Sequence, residues 1–524
     1  MKTTTPVETI FLAAAMLVAL PCGEIKAAGV FPIAATSGIE GSISMAFDGT
    51  NYLVGIQGDK DAQDNITAQL IGPTGALLGS RIKVGNPHGT GGTPSVAFDG
   101  TNYLLVWEYE GTGDPGLDIY GQRVSPSGAL VGGAFAICTA PKYQQIDTVA
   151  GAVAFCDGNY LVVYSDDRSG TKSVYGQLVS TSGELSGPEI TFSTGSREAS
   201  VATDGTDFLV VWQKRASGSK ERYDTVGRFI SPSGSKRSPF VISQTRSARF
   251  NPLALVFNGK NYLVVWNKDI GPGYPAPSDF DIYGRFVSPG GSFPGDELEL
   301  VTGNGDQILP GVAFDGSNYL LSWTKGAFGS STTVKFQFFN RAAHAEGSQF
   351  SPFTVQGSND PTFANLLFDG NRFASVCTLA DMDKNFNFKS GDVYGTFIPK
   401  NSAPKVPDIA VEQPLGSSLA DGAANKAFGS VGVGSSGTAK TFTIRNTGSA
   451  KLTGLAITKN GANAADFKVT APAAGSLAPG DKTTFKVTFK PIAKGTRRAA
   501  IHIKSNDANE NPFDIKLSGM GVAQ

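Results

Sequence analysis

An eleven-residue pattern recurs seven times along the chain. It reads AFDGTNYLVGI at Ala46, AFDGTNYLLVW at Ala97, AFCDGNYLVVY at Ala154, ATDGTDFLVVW at Ala202, VFNGKNYLVVW at Val256, AFDGSNYLLSW at Ala313 and, degraded, LFDGNRFASVC at Leu367. Self-similarity at a fixed period restricts a chain to architectures in which each repeat buries its apolar face against the next. A second signature follows the first: DIYGQRVSPSG at Asp118, SVYGQLVSTSG at Ser173, DTVGRFISPSG at Asp224, DIYGRFVSPGG at Asp281 and a truncated DVYGTFIPK at Asp392. The first and sixth repeats carry weaker forms, NITAQLIGPTG at Asn65 and TVKFQFFNRAA at Thr333. A short apolar run such as PFVISQT closes each unit.

One unit therefore predicts strand, Asp-Gly turn, strand, variable loop, strand, Pro-Ser-Gly turn and strand. Four antiparallel strands in about fifty residues make a blade of a β-propeller. The seventh unit stops after its third strand, whereas GVFPIAATSGIEGSISMAF from Gly29 aligns with a fourth strand and its connection. The N-terminal segment is expected to supply the missing outer strand and close the ring.

The repeat separates scaffold from candidate function. Trp107, Trp212, Trp266 and Trp323 occupy one column that Ile56, Tyr164 and Cys377 fill elsewhere, as expected of packing between blades. Asp48, Asp99, Asp204, Asp315 and Asp369, with Asn258 in the same column, mark hairpin turns, and positive φ at Asp and Gly is the expected reason. Both short turns emerge on one face of the ring. The loops from strand two to strand three and the connections between blades emerge on the other, and they differ in every unit.

Recognition is expected on that variable face, with Tyr109, Asp114, Tyr143, Arg215, Arg222, Tyr223, Arg249 and Tyr274 as candidate ligand-binding residues. Asp381, Asp383, Asn385, Asn387 and Asp392 have the spacing of a calcium loop, but Phe386 stands where glycine belongs and Asp392 where glutamate belongs. No metal or cofactor is expected. His88, His344 and His502 are far apart in sequence, which gives no footing for a triad or zinc cluster. A pair of carboxylates in the central funnel would leave a polysaccharide hydrolase or lyase open; Asp166 and Asp167, adjacent on a strand edge, would point apart.

Residues 1–28 have the layout of a secretory signal peptide: Lys2, an apolar run from Ile10 to Leu20, then Ala27 and Ala28. Pro21 precedes Cys22 where a lipoprotein site needs a small residue. The mature chain would hold Cys138, Cys156 and Cys377, an odd number without a disulfide framework, and no transmembrane segment. It is expected to be extracellular, periplasmic or on the cell surface. Its net charge of −1 hides a basic C-terminal part, with 15 Lys and Arg against 8 Asp and Glu from Ala403 onward. Those charges are scattered rather than clustered with aromatics, which argues against a nucleic-acid partner.

The propeller is expected over residues 29–402 and a second domain over 403–524, where composition changes and alternating runs such as AKTFTIRNTG, KTTFKVTFKP and RRAAIHIKSND predict a β-sandwich. This region resembles the abnormal-spindle/Hydin-type immunoglobulin-like domain in its choice-of-anchor D form. The resemblance is carried by FGSVGVGSSGTAKTFTIRNTGSAKL from Phe428, GANAADFKVT from Gly461, LAPGDKTTFKVTFKP from Leu477 and IKSNDANENPFDIKLSGMG from Ile503. It implies a non-enzymatic spacer or binding module, although no sorting tail follows GVAQ as it does in many bacterial relatives. The repeats themselves resemble units of bacterial secreted propeller proteins. The combined expectation is an all-β secreted or surface protein that binds an extracellular glycan or envelope protein; a funnel hydrolase and a structural envelope component are the alternatives.

Overall fold

The computed structural model describes all residues except 1–28, 36–39, 59–65, 86–89, 111–115, 147–150, 217–222, 246–252, 272–278, 327–331, 354–359, 383–387, 401–405 and 524. The proposed signal peptide lies outside the described residues. The described chain is all-β. Its first part forms seven antiparallel sheets, of which the first joins Ile43–Phe47, Tyr52–Gln57, Ile66–Ile71 and Leu77–Lys83 in sequence order. The next five repeat that meander, the third sheet with its innermost strand divided into Gln144–Gln145 and Val153–Cys156. The last pairs Asp360–Phe368, Arg372–Met382 and Phe388–Pro399 with the N-terminal strand Val30–Ala34 as its outermost member. Innermost strands touch from sheet to sheet all the way round, and contact between the seventh and the first completes the ring.

Each junction between neighbouring sheets holds its own apolar cluster. Ile56, Trp107, Tyr164, Trp212, Trp266, Trp323 and Cys377 sit one per junction. All seven are 0–1% exposed, so the column fills space between sheets and has no open face for a ligand.

The Asp-Gly turns work differently from the sequence expectation. Positive φ falls on the glycine alone in the turns of that aspartate column, for example 97° at Gly49; in the third unit Cys156 holds the aspartate's place, and Asp157, one position later, takes positive φ at 43°. Elsewhere the aspartate acts through its side chain. Asp48 Oδ1 accepts the N–H groups of Thr50 and Asn51, both at 2.7 Å, and Asp99, Asp204, Asp315 and Asp369 repeat that arrangement.

The motif's tyrosine then reaches back to the turn of the preceding sheet. Tyr103 donates to Asn51 O and Tyr160 to Asn102 O, each at 3.0 Å, while Tyr52 donates to Asp369 across the closure of the ring. Burial pushes these phenols well above their usual range, so they remain donors throughout the neutral region. Phe208 and Phe373 keep the ring but lack the hydroxyl.

The glycine of the second signature leaves room for an outer-strand side chain. A Cβ on Gly227 would meet the Phe240 ring at 3.0 Å, and one on Gly395 would meet Phe31 at 2.4 Å. Phe31 comes from Val30–Ala34, so the N-terminal strand fills the place that a fourth strand fills elsewhere.

The C-terminal part is a two-layer sandwich. One sheet orders Ile409–Glu412, Lys440–Asn446, Lys482–Phe489 and Phe467–Val469; the other orders Asn425–Gly432, Phe513–Val522, Gly495–Lys504 and Ala456–Asn460. Alternate residues of both enclose one core that includes Phe442, Phe485, Phe489, Ile501 and Ile515.

Two predictions follow from the junctions. Tyr103→Phe should cost about 1 kcal/mol through the lost hydrogen bond, and Trp266→Ala about 3–5 kcal/mol through the cavity, both read as lowered denaturant midpoints. Gly395→Ala should cost about 1–3 kcal/mol by overpacking, and Phe31→Ala in the same chain should recover part of it; additive losses in that double-mutant cycle would refute the contact.

Candidate ligand-binding face

Each innermost strand runs from the variable face to an Asp-type turn. Between these strands lies an axial cavity of about 210 Å³, lined by residues of all seven sheets, among them Ser44, Val96, Val153, Ser200, Leu309 and Asn365. Apart from Asn365 its lining is small or apolar, and it contains no carboxylate among the described residues.

Towards the variable face, four innermost strands bulge, between Gly92 and Ser95, Arg197 and Ser200, Ile308 and Gly311, and Pro361 and Phe363. Thr93, Glu198 and Leu309 adopt positive φ inside three of these bulges, at 25°, 57° and 56°. Bulges turn a strand and re-aim its side chains, and here they shape the rim of the cavity. Acidic groups near the rim are engaged. Glu40 receives Arg81 at 3.1 Å, Glu108 accepts the Ile146 N–H at 2.6 Å, and Glu198 lies 3.5 Å from the Arg197 guanidinium.

Of the candidate residues, Asp114, Arg222, Arg249 and Tyr274 lie outside the described residues. Arg215 and Tyr223 come together: the guanidinium donates to the phenol oxygen at 3.2 Å. Arg197 covers the same ring with its charged carbon 4.1 Å from the centroid. Tyr223 is buried and so props two guanidinium groups rather than offering an open stacking surface. Tyr109 is half-buried and meets Tyr120 edge-on at 5.0 Å, on the second sheet. Tyr143 is 46% exposed in the connection to the third sheet, where its N–H donates to Asp167 Oδ1 at 3.1 Å. The calcium-like spacing falls largely outside the described residues, and Asp392 at its end has its carboxyl pushed up by burial.

The sequence reading missed Arg168. Its guanidinium grips Glu189 with two hydrogen bonds, at 2.8 and 2.9 Å, donates to buried Asp166 at 2.6 Å, and lies over the Tyr175 ring. Tyr164 donates to the same Glu189 at 2.6 Å. Asp166 and Asp167 do point to different partners, Arg168 and Tyr143. The available signal was SDDRSG, an arginine two residues beyond a buried aspartate, but Glu189 belongs to an outer strand whose position the loop does not reveal.

Residues 422–522 match the family model Cep192 domain 4, which supports a relative of that domain type without singling out the choice-of-anchor D form. No curated protein matches the chain. Among solved structures, the chain is similar to the β-propeller domain of the Trilobed protease from Pyrococcus furiosus, with 8% identity, a TM-score of 0.42, and coverage of 70% of this chain and 99% of that one. It is also similar to the GH93 α-L-arabinofuranosidase of Fusarium graminearum, with 13% identity, a TM-score of 0.37, and coverage of 59% and 93%. The ASH/PapD-like domain 7 of human CEP192 covers 24% of this chain and 94% of its own, with 12% identity and a TM-score of 0.18.

Arg168→Met should leave Asp166 and Glu189 without their shared cation. Asp166 is fully buried while Arg168 and Glu189 are partly exposed, so the loss should be about 1–3 kcal/mol, below that of a fully buried pair; the variant should unfold at lower denaturant than the parent, and an unchanged midpoint would refute the role.

Proposed function

We propose that this chain is a secreted or surface-exposed recognition protein. In this reading a signal peptide of residues 1–28 precedes a seven-bladed propeller over 29–402, and an immunoglobulin-like module of the choice-of-anchor D kind over 403–524 acts as a spacer. The variable face takes an extracellular glycan or envelope protein.

The observation that carries this is the division of labour between the faces. On the constant face the turns hold the ring together, and the sandwich meets the propeller there, where Asp408 lies 3.1 Å from His344 in a strand-three to strand-four turn. The opposite face carries the loops that differ from repeat to repeat and two arginines stacked on one tyrosine. A funnel hydrolase needs two carboxylates set about 5–10 Å apart around the substrate, and among the described residues the cavity lining offers none.

A panel of glycans and envelope proteins screened against the whole mature chain tests this. Micromolar or tighter binding is expected, with a loss of at least about tenfold when the exposed candidates Tyr143 and Arg215 are both replaced by alanine and no loss for Thr101→Ala on the constant face. Polysaccharide cleavage without such binding would favour the hydrolase; neither binding nor cleavage would favour an envelope component.

A further inference from the structure

The junction between propeller and sandwich gathers ionisable groups that no part of the proposed recognition function uses. His344 follows the outer turn of the sixth sheet, Asp408 begins the first strand region of the sandwich, and Glu510 lies in its loop before Phe513. One donor atom from each lies within 4.8 Å of the other two. Donors around a tetrahedral ion with bonds of roughly 2.0–2.1 Å stand about 3.3 Å apart, so closing the set takes a contraction of about 1.5 Å at most.

A second, independent feature points to the same place. Glu346 is two residues beyond His344, is 1% exposed, and lies close enough to Asp408 for that carboxylate's charge to act on it. Both its carboxylate oxygens are buried without a hydrogen-bond partner among the described residues, as is Glu510 Oε2. Burying an unpaired carboxylate is costly unless a cation or proton accompanies it. The charged groups acting on Glu510 are His344 and the acids Asp408, Asp507 and Asp421. Burial, then neighbouring acids, pushes Glu346 up to about 7. Burial likewise pushes Glu510 up to about 7 although His344 opposes it.

The remaining partners hold the set in place. Thr447 donates to Asp408 Oδ2, and Asp507 accepts the Ile409 N–H at 2.9 Å. Residues from both domains thus converge, short of positive charge, on one point. We propose that His344, Asp408 and Glu510, with Glu346 beside them, bind one divalent transition cation of the Zn²⁺ type that ties the sandwich to the propeller. An imidazole among carboxylates favours such a cation over Ca²⁺ or Mg²⁺, which prefer all-oxygen sites.

The test uses the whole mature chain, stripped with chelator and dialysed against micromolar free Zn²⁺, with Ca²⁺ in a parallel arm. Metal analysis should find one Zn²⁺ per chain, and tryptic cleavage after Lys405 should slow when Zn²⁺ is present. His344→Gln and Glu510→Gln should each weaken binding by at least about tenfold, while His502→Gln, at the separate pairing of His502 with Asp514, should not. Co²⁺ substituted into the parent should give visible bands that His344→Gln abolishes. No stoichiometric Zn²⁺ in the parent, retention of Ca²⁺ alone, or binding that survives both site substitutions would overturn the proposal. The parent measurement decides even if a variant fails to fold.

Discussion

The structure depends on burial between neighbouring sheets. A single four-stranded meander here has apolar side chains on both faces, and each face is covered only when another sheet packs against it. Trp212 is buried in a cluster with residues of the third sheet, where the Phe192 ring lies 5.7 Å from it, and Trp266 in a cluster with Val211 and Ile242 of the fourth. Stability is then a property of junctions, as in other repeat proteins, but a ring has no end that could be capped. Its last junction must be made by the chain's own termini, which is why Val30–Ala34 has to find Phe388–Pro399.

That demand spends one face of the ring. The tyrosine hydroxyls, the aspartate-capped turns and arginine contacts such as Arg123 to Thr181 O at 3.0 Å all serve the junctions from the same side. Loops on the other side are exempt from this duty and are free to differ. Where one of them is tied down, the tie is particular to its sheet. Arg168 with Glu189 serves the third sheet, and Lys268 with Glu297 at 2.6 Å serves the fifth.

How much of this was legible in the sequence follows from the range of each interaction. Strand order and the buried column could be read because the repeat aligns equivalent positions, so a residue such as Cys377 reveals what Trp323 is for. The aspartate's role was misjudged because Asp-Gly suits two turns. The choice between them depends on where Asp-Gly falls between the flanking strands: Asp157 comes one position later in its unit than Asp48 does, between the paired Cys156 and Asn159, and behaves differently. Arg168 was missed because its partner lies one strand further out. The cluster at His344 was out of reach for a stronger reason: His344, Asp408 and Glu510 belong to three segments that no periodicity relates.

Departure from the repeat turns out to be the informative signal. In the regular units the second turn uses a serine acceptor and a glycine, as where Ser125 accepts the Ala129 N–H and Gly128 has φ of 85°. The sixth unit keeps the turn's shape with other residues. Asn340 Oδ1 accepts the N–H groups of Ala342 and His344, and Ala343 takes the positive φ at 64°. An alanine in that region is strained where glycine would not be, so the substitution is no improvement to the turn itself. What it accompanies is a histidine at the position that Ala129 holds in the second sheet, directed at Asp408 of the sandwich. The weak form of the signature in this repeat thus coincides with a turn that meets the sandwich, and its irregularity reflects a second set of contacts.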